Sequence, residues 1–203
     1  MSFSSLPSTR ILRSIGGCLA AALMLTACAH PISIEPKNVP ERPAGVAPSP
    51  KKVAYVMSDA DRQKQVTTAG GGGDKISYYP YKDFERSLRA SLNSIYSGVS
   101  VVKSATDQVG IKEAGASYVF LPEITTDSSS PSLLTWPPTK FGFSVSVDVL
   151  DARATPLAKL RVNGNGAAEW EEFKGDFGLA GRRAVESASK ALVDEIQRME
   201  QLK

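Results

Sequence analysis

Two segments of alternating apolar and polar residues constrain the fold of this chain more than any other feature. In KFGFSVSVDVLD, residues 140–151, every second residue is apolar, namely Phe141, Phe143, Val145, Val147 and Val149. The segment LAKLRVNGNGAAEW, residues 157–170, repeats this spacing from Ala158 to Trp170. Because the side chains of a strand point alternately to its two faces, each segment predicts a strand with one buried face. The short turn ARATP between them predicts an antiparallel hairpin.

Two amphipathic segments predict the helices that pack on this hairpin. Residues 81–96 place Phe84, Leu88, Leu92 and Ile95 on one helical face, and Pro80 suits the first turn. Residues 176–201 carry a longer stripe, whose members are Phe177, Ala180, Ala184, Ala188, Leu192, Ile196 and Met199. The alanines allow this helix to lie close to the sheet. Gly164 and Gly166, on the core-facing side of the second hairpin strand, leave space for a close helix or a bulge.

The remaining segments complete a mixed α/β (α+β) fold. Strands are predicted at 51–57, 99–102 and 117–125, and a short helix at 106–116. Pro122 predicts a sheet edge or a bulge within its strand, since proline lacks the N–H that a strand ladder needs. The order is β-α-β-(α)-β-β-β-α. We therefore expect one mixed sheet of about five strands, with a C-terminal β-hairpin and helices mainly on one face.

The amino-terminal 28 residues resemble a bacterial lipoprotein signal. Arg10 and Arg13 precede an apolar run from about residue 15 to residue 25, which is too short to span a bilayer. The run ends in Leu25-Thr26-Ala27-Cys28, which matches the lipobox pattern of lipoproteins. The resemblance implies cleavage between Ala27 and Cys28 and lipidation of the Cys28 thiol. An ordinary secretory signal with a chance cysteine is the alternative. Ala29, in place of aspartate, implies sorting to the outer membrane.

Once this signal is removed, the residue types that remain limit the chemistry that the folded part can perform. Cys18 leaves with it and Cys28 carries lipid, while His30 is the only histidine, so the folded part has no thiol and no other imidazole. That excludes nucleophiles paired with histidine and the usual zinc sites, and we expect no metal and no cofactor. Without Arg10 and Arg13, 22 of the 24 basic residues remain against 21 acidic ones. Near neutrality argues against nucleic acid as a partner.

Together with the lipobox resemblance, composition predicts a signal peptide (1–27), a lipidated cysteine with a proline-rich tether (28–50) and a single periplasmic α/β domain (51–203). Residues 29–50 hold six prolines and little apolar content, which predicts extended, solvated backbone. Such a tether could hold the domain up to about 70 Å from the membrane, at roughly 3.1 Å per residue. A generic spacer is one interpretation, and a reach set by a partner in or beyond the peptidoglycan is the other.

The lipobox, the tether and this order of elements resemble small Gram-negative outer-membrane lipoproteins. The nearest are the YajG type and proteins whose fold is similar to the amino-terminal domain of TolB. The lipoprotein activators of bifunctional penicillin-binding proteins share that general architecture. The resemblance covers most of residues 51–203 in element order, and its specific motif is the lipobox. It implies a non-catalytic periplasmic binding domain, and Cys28 is the functional residue that it transfers to this chain.

Gly70, Gly71, Gly72 and Gly73 raise the question of a phosphate-binding loop. A P-loop requires Lys and Ser or Thr directly after its last glycine, whereas here Asp74 intervenes and Lys75 is followed by Ile76. We therefore expect no nucleotide. A mobile connector is one interpretation of the four glycines. The other is a partner-binding arm, since the amphipathic residues Tyr78 and Tyr79 follow at once.

A second irregular stretch, residues 125–140, joins two predicted strands and carries Leu133, Leu134 and Trp136 before Pro137-Pro138. Loops of this length are often functional. Trp136 stacked on the prolines over the sheet edge is one interpretation, and an interaction hot spot is the other. If both loops lie at one end of the sheet, they form one surface.

We therefore expect a lipoprotein that is anchored on the periplasmic face of the outer membrane. We expect it to bind or scaffold an envelope protein or a peptidoglycan-linked complex, and not to be an enzyme. An auxiliary carrier in lipid transport is the alternative, and it needs an apolar cavity between helix and sheet. A glycan-acting enzyme comes third, because carboxylates alone suffice for glycoside hydrolysis. Glu123, Asp148, Glu169, Glu171 and Glu172 give no convincing acid–base pair, and EWEEF is expected to end a strand with a charged edge.

Overall fold

A computed structural model describes residues 29–203, so Ala27, Cys28 and the signal segment lie outside the described residues. Within this range eight strands alternate with five α-helices. The strands are β1 (His30–Pro31), β2 (Ser49–Val56), β3 (Val66–Ala69), β4 (Lys75–Tyr78), β5 (Tyr96–Val102), β6 (Tyr118–Ser129), β7 (Lys140–Asp151) and β8 (Pro156–Ala167). The helices are α1 (Asp59–Gln63), α2 (Pro80–Ile95), α3 (Gln108–Ala114), α4 (Trp170–Phe173) and α5 (Leu179–Arg198), followed by a 3-10 turn at Glu200–Leu202.

The main sheet has five strands in the order β5-β2-β6-β7-β8. β2 pairs in parallel with β5 and with β6, whereas β6, β7 and β8 are antiparallel. The prediction of a mixed α/β fold with a sheet of five strands is therefore confirmed. A separate sheet of three short strands, in the order β1-β4-β3, was not predicted.

The long hairpin of β7 and β8 is confirmed almost residue by residue. Phe143 lies opposite Gly164, and Val145 lies opposite Val162. The alternating apolar residues of β7 are all buried. The prediction is wrong at its end, because β8 stops at Ala167 and Trp170 begins the helical turn α4, where its side chain is 49% exposed. Glu169 and Glu172 cap that turn reciprocally, so EWEEF forms a capped helix instead of a strand end.

Pro122 lies in an interior strand, yet its missing N–H leaves no gap in the ladder. β6 pairs with β2 only over Tyr118–Phe120. Beyond that point this side of β6 has no partner in the five-stranded sheet, and the N–H of Ile124 donates to the hydroxyl of Tyr81 at 3.2 Å. The predicted edge near Pro122 is therefore real, but it is confined to one side of the strand.

Helices α2 and α5 cover one face of the sheet and form the main core with it. Gly164 and Gly166 allow α5 to approach β8 closely: a Cβ added at these positions would lie 2.0 Å from the carbonyl oxygen of Ala184 and 1.9 Å from that of Ala180. Helix α3 packs on the opposite face, over a smaller cluster that includes Ile111 and Val119. The helices thus lie mainly on one face, as predicted, and beyond the cluster around Val119 no helix formed by residues 29–203 covers the opposite face of β6, β7 and β8.

The amino-terminal end of the described chain is packed into the domain. Residues 30–36, hereafter the strap, begin with β1, which pairs in parallel with β4. Ile34 is fully buried, and its N–H donates to a carboxylate oxygen of Asp83 at 2.8 Å. The prediction of a solvated tether across residues 28–50 is therefore wrong for the strap. Ile32 and Ile34 lie just after β1, and these two apolar side chains between prolines were the local signal for a packed segment.

The strap also packs against the beginning of α5. A Cβ at Gly181 would lie 2.3 Å from Cγ2 of Ile34, and one at Gly178 would lie 1.9 Å from the carbonyl oxygen of Ser33. Arg182 donates to that same carbonyl at 3.0 Å. Further along, Arg42 donates to the carbonyl of Ser94 at 3.1 Å, at the end of α2. None of the helices formed by residues 29–203 combines the length and apolar character needed to cross a membrane.

Candidate functional site

The four glycines form a tight turn between β3 and β4 that binds a neighbouring loop. We name residues 70–73 the glycine turn and residues 130–139, between β6 and β7, the leucine loop. The N–H of Gly71 donates to the carbonyl of Trp136 at 2.8 Å, and the N–H of Gly72 donates to that of Ser132 at 2.8 Å. The turn is closed by a bond from Gly70 N–H to Asp74 carbonyl at 2.9 Å. The two loops therefore form one surface.

Glycine is needed in this turn for two separate reasons. A Cβ at Gly70 would lie 2.3 Å from the carbonyl oxygen of Trp136, and one at Gly71 would lie 2.1 Å from that of Thr135, so any side chain would collide with backbone. Gly72 and Gly73 have φ of +64° and +87°, in the region that favours glycine. Neither the phosphate-binding nor the mobile-connector interpretation describes this turn, because the N–H groups of Gly71 and Gly72 donate to carbonyls of the leucine loop.

The strap enters the domain beside these two loops. The imidazole of His30 stacks on the indole of Trp136, with ring centroids 4.2 Å apart and planes inclined by 17°. Its Nε2 lies 3.5 Å from a carboxylate oxygen of Asp74, directly after the glycine turn. Phe177 packs on the indole at a centroid distance of 4.7 Å. Trp136 is thus half-buried between the start of the strap and the residues before α5.

The leucine loop ends in two exposed apolar side chains. Leu133 is 86% exposed and Leu134 is 96% exposed, more than any other large apolar side chain among residues 29–203. The loop that holds them is internally bonded, because the hydroxyl of Ser132 accepts the N–H groups of Leu134 at 3.3 Å and of Thr135 at 3.1 Å. Pro137 and Pro138 are buried. Two leucines are therefore presented on an ordered turn.

The predicted site residues separate into three groups. Gly70, Gly71, Gly72 and Gly73 lie with Trp136 in the joint loop surface. Tyr78 is 1% exposed and its hydroxyl shares a hydrogen bond of 2.6 Å with Thr126, so its prediction as an accessible anchor is wrong. Burial raises the pKa of that phenol. Tyr79 is 38% exposed, but it lies at the far end of β4 from the glycine turn, next to α2.

A polar network that sequence reasoning missed joins α1 to α2. Arg62 donates to both carboxylate oxygens of Glu85, at 2.8 and 2.7 Å, and the hydroxyl of Tyr55 donates to the same carboxylate at 3.0 Å. The hydrogen bonds from Arg62 lower the pKa of Glu85, while burial raises the pKa of Tyr55. Arg62 also bonds Asp59, so every charge in the network has a partner. This closed arrangement is structural.

The carboxylates considered for acid–base chemistry mostly take part in ion pairs. Asp148 pairs with Lys159 at 2.9 Å across the hairpin, and Glu171 pairs with Lys174 at 2.6 Å. Glu172 pairs with Arg183 at 2.7 Å, and that partner lowers the pKa of Glu172 to about 2. Within residues 29–203, no group of three or more His, Cys, Asp or Glu side chains is placed to hold a metal ion.

On the side of β6, β7 and β8 opposite α2 and α5, the part that no helix of residues 29–203 covers is polar. We name it the polar face, and its side chains are Glu123, Thr125, Ser144, Ser146, Arg161 and Asn163. β8 is also an edge strand of the sheet. Both features are open to a partner: the face through side-chain hydrogen bonds, and the edge through the backbone groups of its outer side.

Comparison with known proteins gives a fold but no family. No protein-family model matches the sequence. No curated protein matches it either. Among solved structures, a Xanthomonas campestris protein of the family DUF330 is similar with a TM-score of 0.51 and 11% identity, over 82% of this chain and 92% of that one. At that identity the likeness concerns the fold alone.

Two further structures are more distant. A Helicobacter pylori protein, provisionally named a neuraminyllactose-binding hemagglutinin homolog, gives a TM-score of 0.48 at 11% identity, over 80% of this chain and 91% of that one. A Caulobacter crescentus protein, provisionally named a lipoprotein, gives 0.25 at 15% identity, over 44% and 74%. The resemblance to the YajG type and to TolB stays a prediction.

Proposed function

We propose that this chain is a periplasmic lipoprotein, anchored to the outer membrane through Cys28, whose domain binds an envelope partner without catalysing a reaction. The lipobox at residues 25–28 supports the anchor. The partner is a protein or a peptidoglycan-linked complex. Two or more acyl chains exceed what stable membrane attachment requires, so the domain works at the membrane surface.

The observation that carries the binding role is the uncovered polar face. Helices α2 and α5 bury one side of β6, β7 and β8, whereas the other side presents hydroxyl, amide, carboxylate and guanidinium groups on an ordered sheet. A flat array of this kind can form many directed hydrogen bonds with a partner at little entropic cost, since the strands are already fixed. The free edge of β8 adds a row of backbone groups next to it.

The close packing of α5 favours a binding module over a lipid carrier. A carrier needs an apolar cavity between helix and sheet. At Gly164 and Gly166 the backbones of β8 and α5 approach so closely that a single added Cβ would collide with α5. No acyl chain fits between two backbones in such contact.

The ion pairs favour binding over glycan hydrolysis. A glycosidase keeps two carboxyl groups facing each other across its substrate. Asp148, Glu171 and Glu172 each pair with a neighbouring cation instead, and Glu169 caps a helical turn. Glu123 lies on the polar face beside hydroxyl and amide side chains.

In-cell photocrosslinking from the polar face tests the binding role. A photoreactive amino acid at Ser146 or Asn163 is expected to give one recurrent adduct, shared by both positions and identified by mass spectrometry. The matched control is Val109, which is 69% exposed on α3 and should not give that adduct. Absence of a shared adduct from Ser146 and Asn163 would contradict a partner on this face.

Metabolic labelling tests the anchor separately. Labelled palmitate should be incorporated into the native chain and lost in Cys28→Ala. Label that persists in Cys28→Ala would refute the anchor, whatever the crosslinking result.

A further inference from the structure

The two exposed leucines lie at the end of the domain where the chain leaves toward Cys28. His30 is the second residue after Cys28, so its Cα lies within about 7 Å of the cysteine Cα, at up to 3.6 Å per residue. The His30 ring is fixed on Trp136, two residues after Leu134 in the leucine loop. The strap leaves no slack between them, because β1 begins at His30.

This placement determines which surface the leucine pair meets. A lipidated Cys28 holds its glyceryl group at the bilayer surface, and a tether of two residues brings the leucine loop to that surface at a very high effective concentration. Two leucines that are 86% and 96% exposed gain free energy there by leaving water.

We propose that Leu133 and Leu134 insert into the bilayer that holds the Cys28 lipid and so set the orientation of the domain on the membrane. The proposal rests on the lipid anchor of the proposed function. The acyl chains attach the protein to the membrane. The leucine pair adds a second point of contact, which prevents the domain from rotating about the first. The polar face is then held in a constant orientation relative to the membrane.

The composition around the leucine pair fits a membrane interface. Trp136 follows Leu134 by two residues and has a half-buried, amphipathic indole, and tryptophan is enriched at the level of lipid headgroups. Lys75 and Lys140 are exposed where the glycine turn and the leucine loop meet their following strands, and neither is in an ion pair within residues 29–203. Ammonium groups at this level attract anionic phospholipids.

The backbone of the loop also suits insertion. A polar backbone group that enters hydrocarbon unpaired is costly. The N–H of Leu134 is bonded to the hydroxyl of Ser132, and the glycine turn satisfies the carbonyl of Ser132. The apolar side chains therefore approach the bilayer on a turn that already pairs these groups internally.

A single fluorescent label tests the proposal on the full lipidated protein. After signal removal and lipidation no free cysteine remains, so Leu134→Cys provides one labelling site for an environment-sensitive dye such as NBD. In vesicles of phosphatidylethanolamine and phosphatidylglycerol, its emission should shift to shorter wavelength. Spin-labelled phosphatidylcholine in the same vesicles should quench it.

The matched control is Val109→Cys, another exposed aliphatic position, on α3 next to the β7–β8 turn and so at the opposite end of the sheet. It should show neither the shift nor the quenching. Equal responses at both positions, or no lipid quenching at Leu134→Cys, would overturn the proposal. A shift without lipid quenching would assign the leucines to a protein surface, such as a second copy of this chain.

Flotation and intact mass of the same samples separate this proposal from the anchor. A protein that lacks the lipid mass and does not float with vesicles refutes the proposed anchor. A protein that is lipidated and floats, but whose dye at position 134 stays in water, refutes the leucine insertion alone. Unchanged thermal unfolding of both labelled variants confirms that each remains folded.

Discussion

At the scale of single residues, glycines at a few close contacts determine how the elements of this molecule pack together. Gly71 faces a carbonyl of the leucine loop, Gly164 and Gly166 face carbonyls of α5, and Gly181 faces Ile34. In each case a backbone or a core side chain occupies the position that a Cβ would take. The sequence predicts that Gly164 and Gly166 lie on the core-facing side of a strand. The residues that pack against them are distant in the sequence, so the sequence does not identify them.

Gly71→Ala should destabilise the domain. The added methyl would lie 2.1 Å from the carbonyl oxygen of Thr135, so the two loops must separate, at a cost of about 1–3 kcal/mol in the free energy of unfolding. Urea denaturation measures this. Gly175→Ala is the control, since nothing lies within 4 Å of its Cβ position. Equal midpoints for the two variants would show that the loops are not in contact.

Asp83→Ala should destabilise the domain more than Asp83→Asn. The alanine leaves the buried N–H of Ile34 without its acceptor, which costs about 1–3 kcal/mol. The asparagine keeps an oxygen acceptor and removes a carboxylate whose pKa is raised by burial. Thermal unfolding at neutral pH compares them. If both variants lose the same stability, the charge and not the hydrogen bond holds the strap.

At the scale of elements, how well the sequence predicts the structure depends on the length of each element. The hairpin strands β7 and β8 and the helices α2 and α5 run for 12 to 20 residues, long enough for a periodic pattern to define them. The small sheet consists of strands of two to four residues, in which no period can be recognised. The sequence predicts a solvated tether for the strap because its prolines are more prominent than Ile32 and Ile34, the two isoleucines that pack against the domain.

Ile34→Asp should detach the strap while the main sheet remains folded. An unpaired charge cannot stay in the fully buried position of Ile34, and β1 contributes only two residues of pairing to compensate. Hydrogen exchange should accelerate at Ile32, whose N–H donates to Ser77, but not in β6 and β7. Ile34→Val is the control and should keep the protection at Ile32. Exchange that accelerates throughout the domain would show that the strap and the sheet unfold together.

The Arg62–Glu85 pair between α1 and α2 predicts how stability depends on pH. Because the pKa of Glu85 is lowered, its contribution is present above the ordinary value near 4.5 and is lost as pH falls through the lowered value. Glu85→Gln should therefore lower stability by about 1 kcal/mol near neutral pH and converge with the native protein in acid. Urea titrations at several pH values measure the difference. A constant difference across that range would contradict the ionic origin.

At the scale of the whole molecule, the site could be anticipated only in part. The sequence indicates both the glycine turn and the leucine loop as candidate sites. That the two loops contact each other depends on where β3, β4, β6 and β7 end, and no local sequence pattern predicts this. Tyr78 follows the glycines like an exposed anchor, yet tertiary packing buries it. The strap places His30 beside this surface, so a lipid at Cys28, as proposed, would lie close to it and would hold the domain near the membrane instead of far from it.

A lipidated protein on a supported bilayer should lie directly against the headgroups. Neutron reflectometry should detect no solvent layer between membrane and domain, because the described chain is fixed from His30 onward. In Ile34→Asp, release of residues 30–36 should open a hydrated gap of up to about 25 Å, at up to 3.6 Å per residue. Ile34→Val should resemble the native protein. A hydrated gap beneath the native protein would contradict a fastened strap.

The strap also determines how the molecule responds to force. Tension on the proposed anchor would enter the domain at His30 and act first on its stack with Trp136, then on the pairing of β1 with β4, and then on Ile34 at Asp83 and Gly181. These attachments follow one another along the chain, so we expect them to yield in chain order. Each one that yields lengthens the connection by a few residues and relaxes the tension before the five-stranded sheet is strained. With the proposed lipid at Cys28, the strap would therefore act as an extensible element between the membrane and the domain, and it would protect the fold when the membrane moves relative to a bound partner.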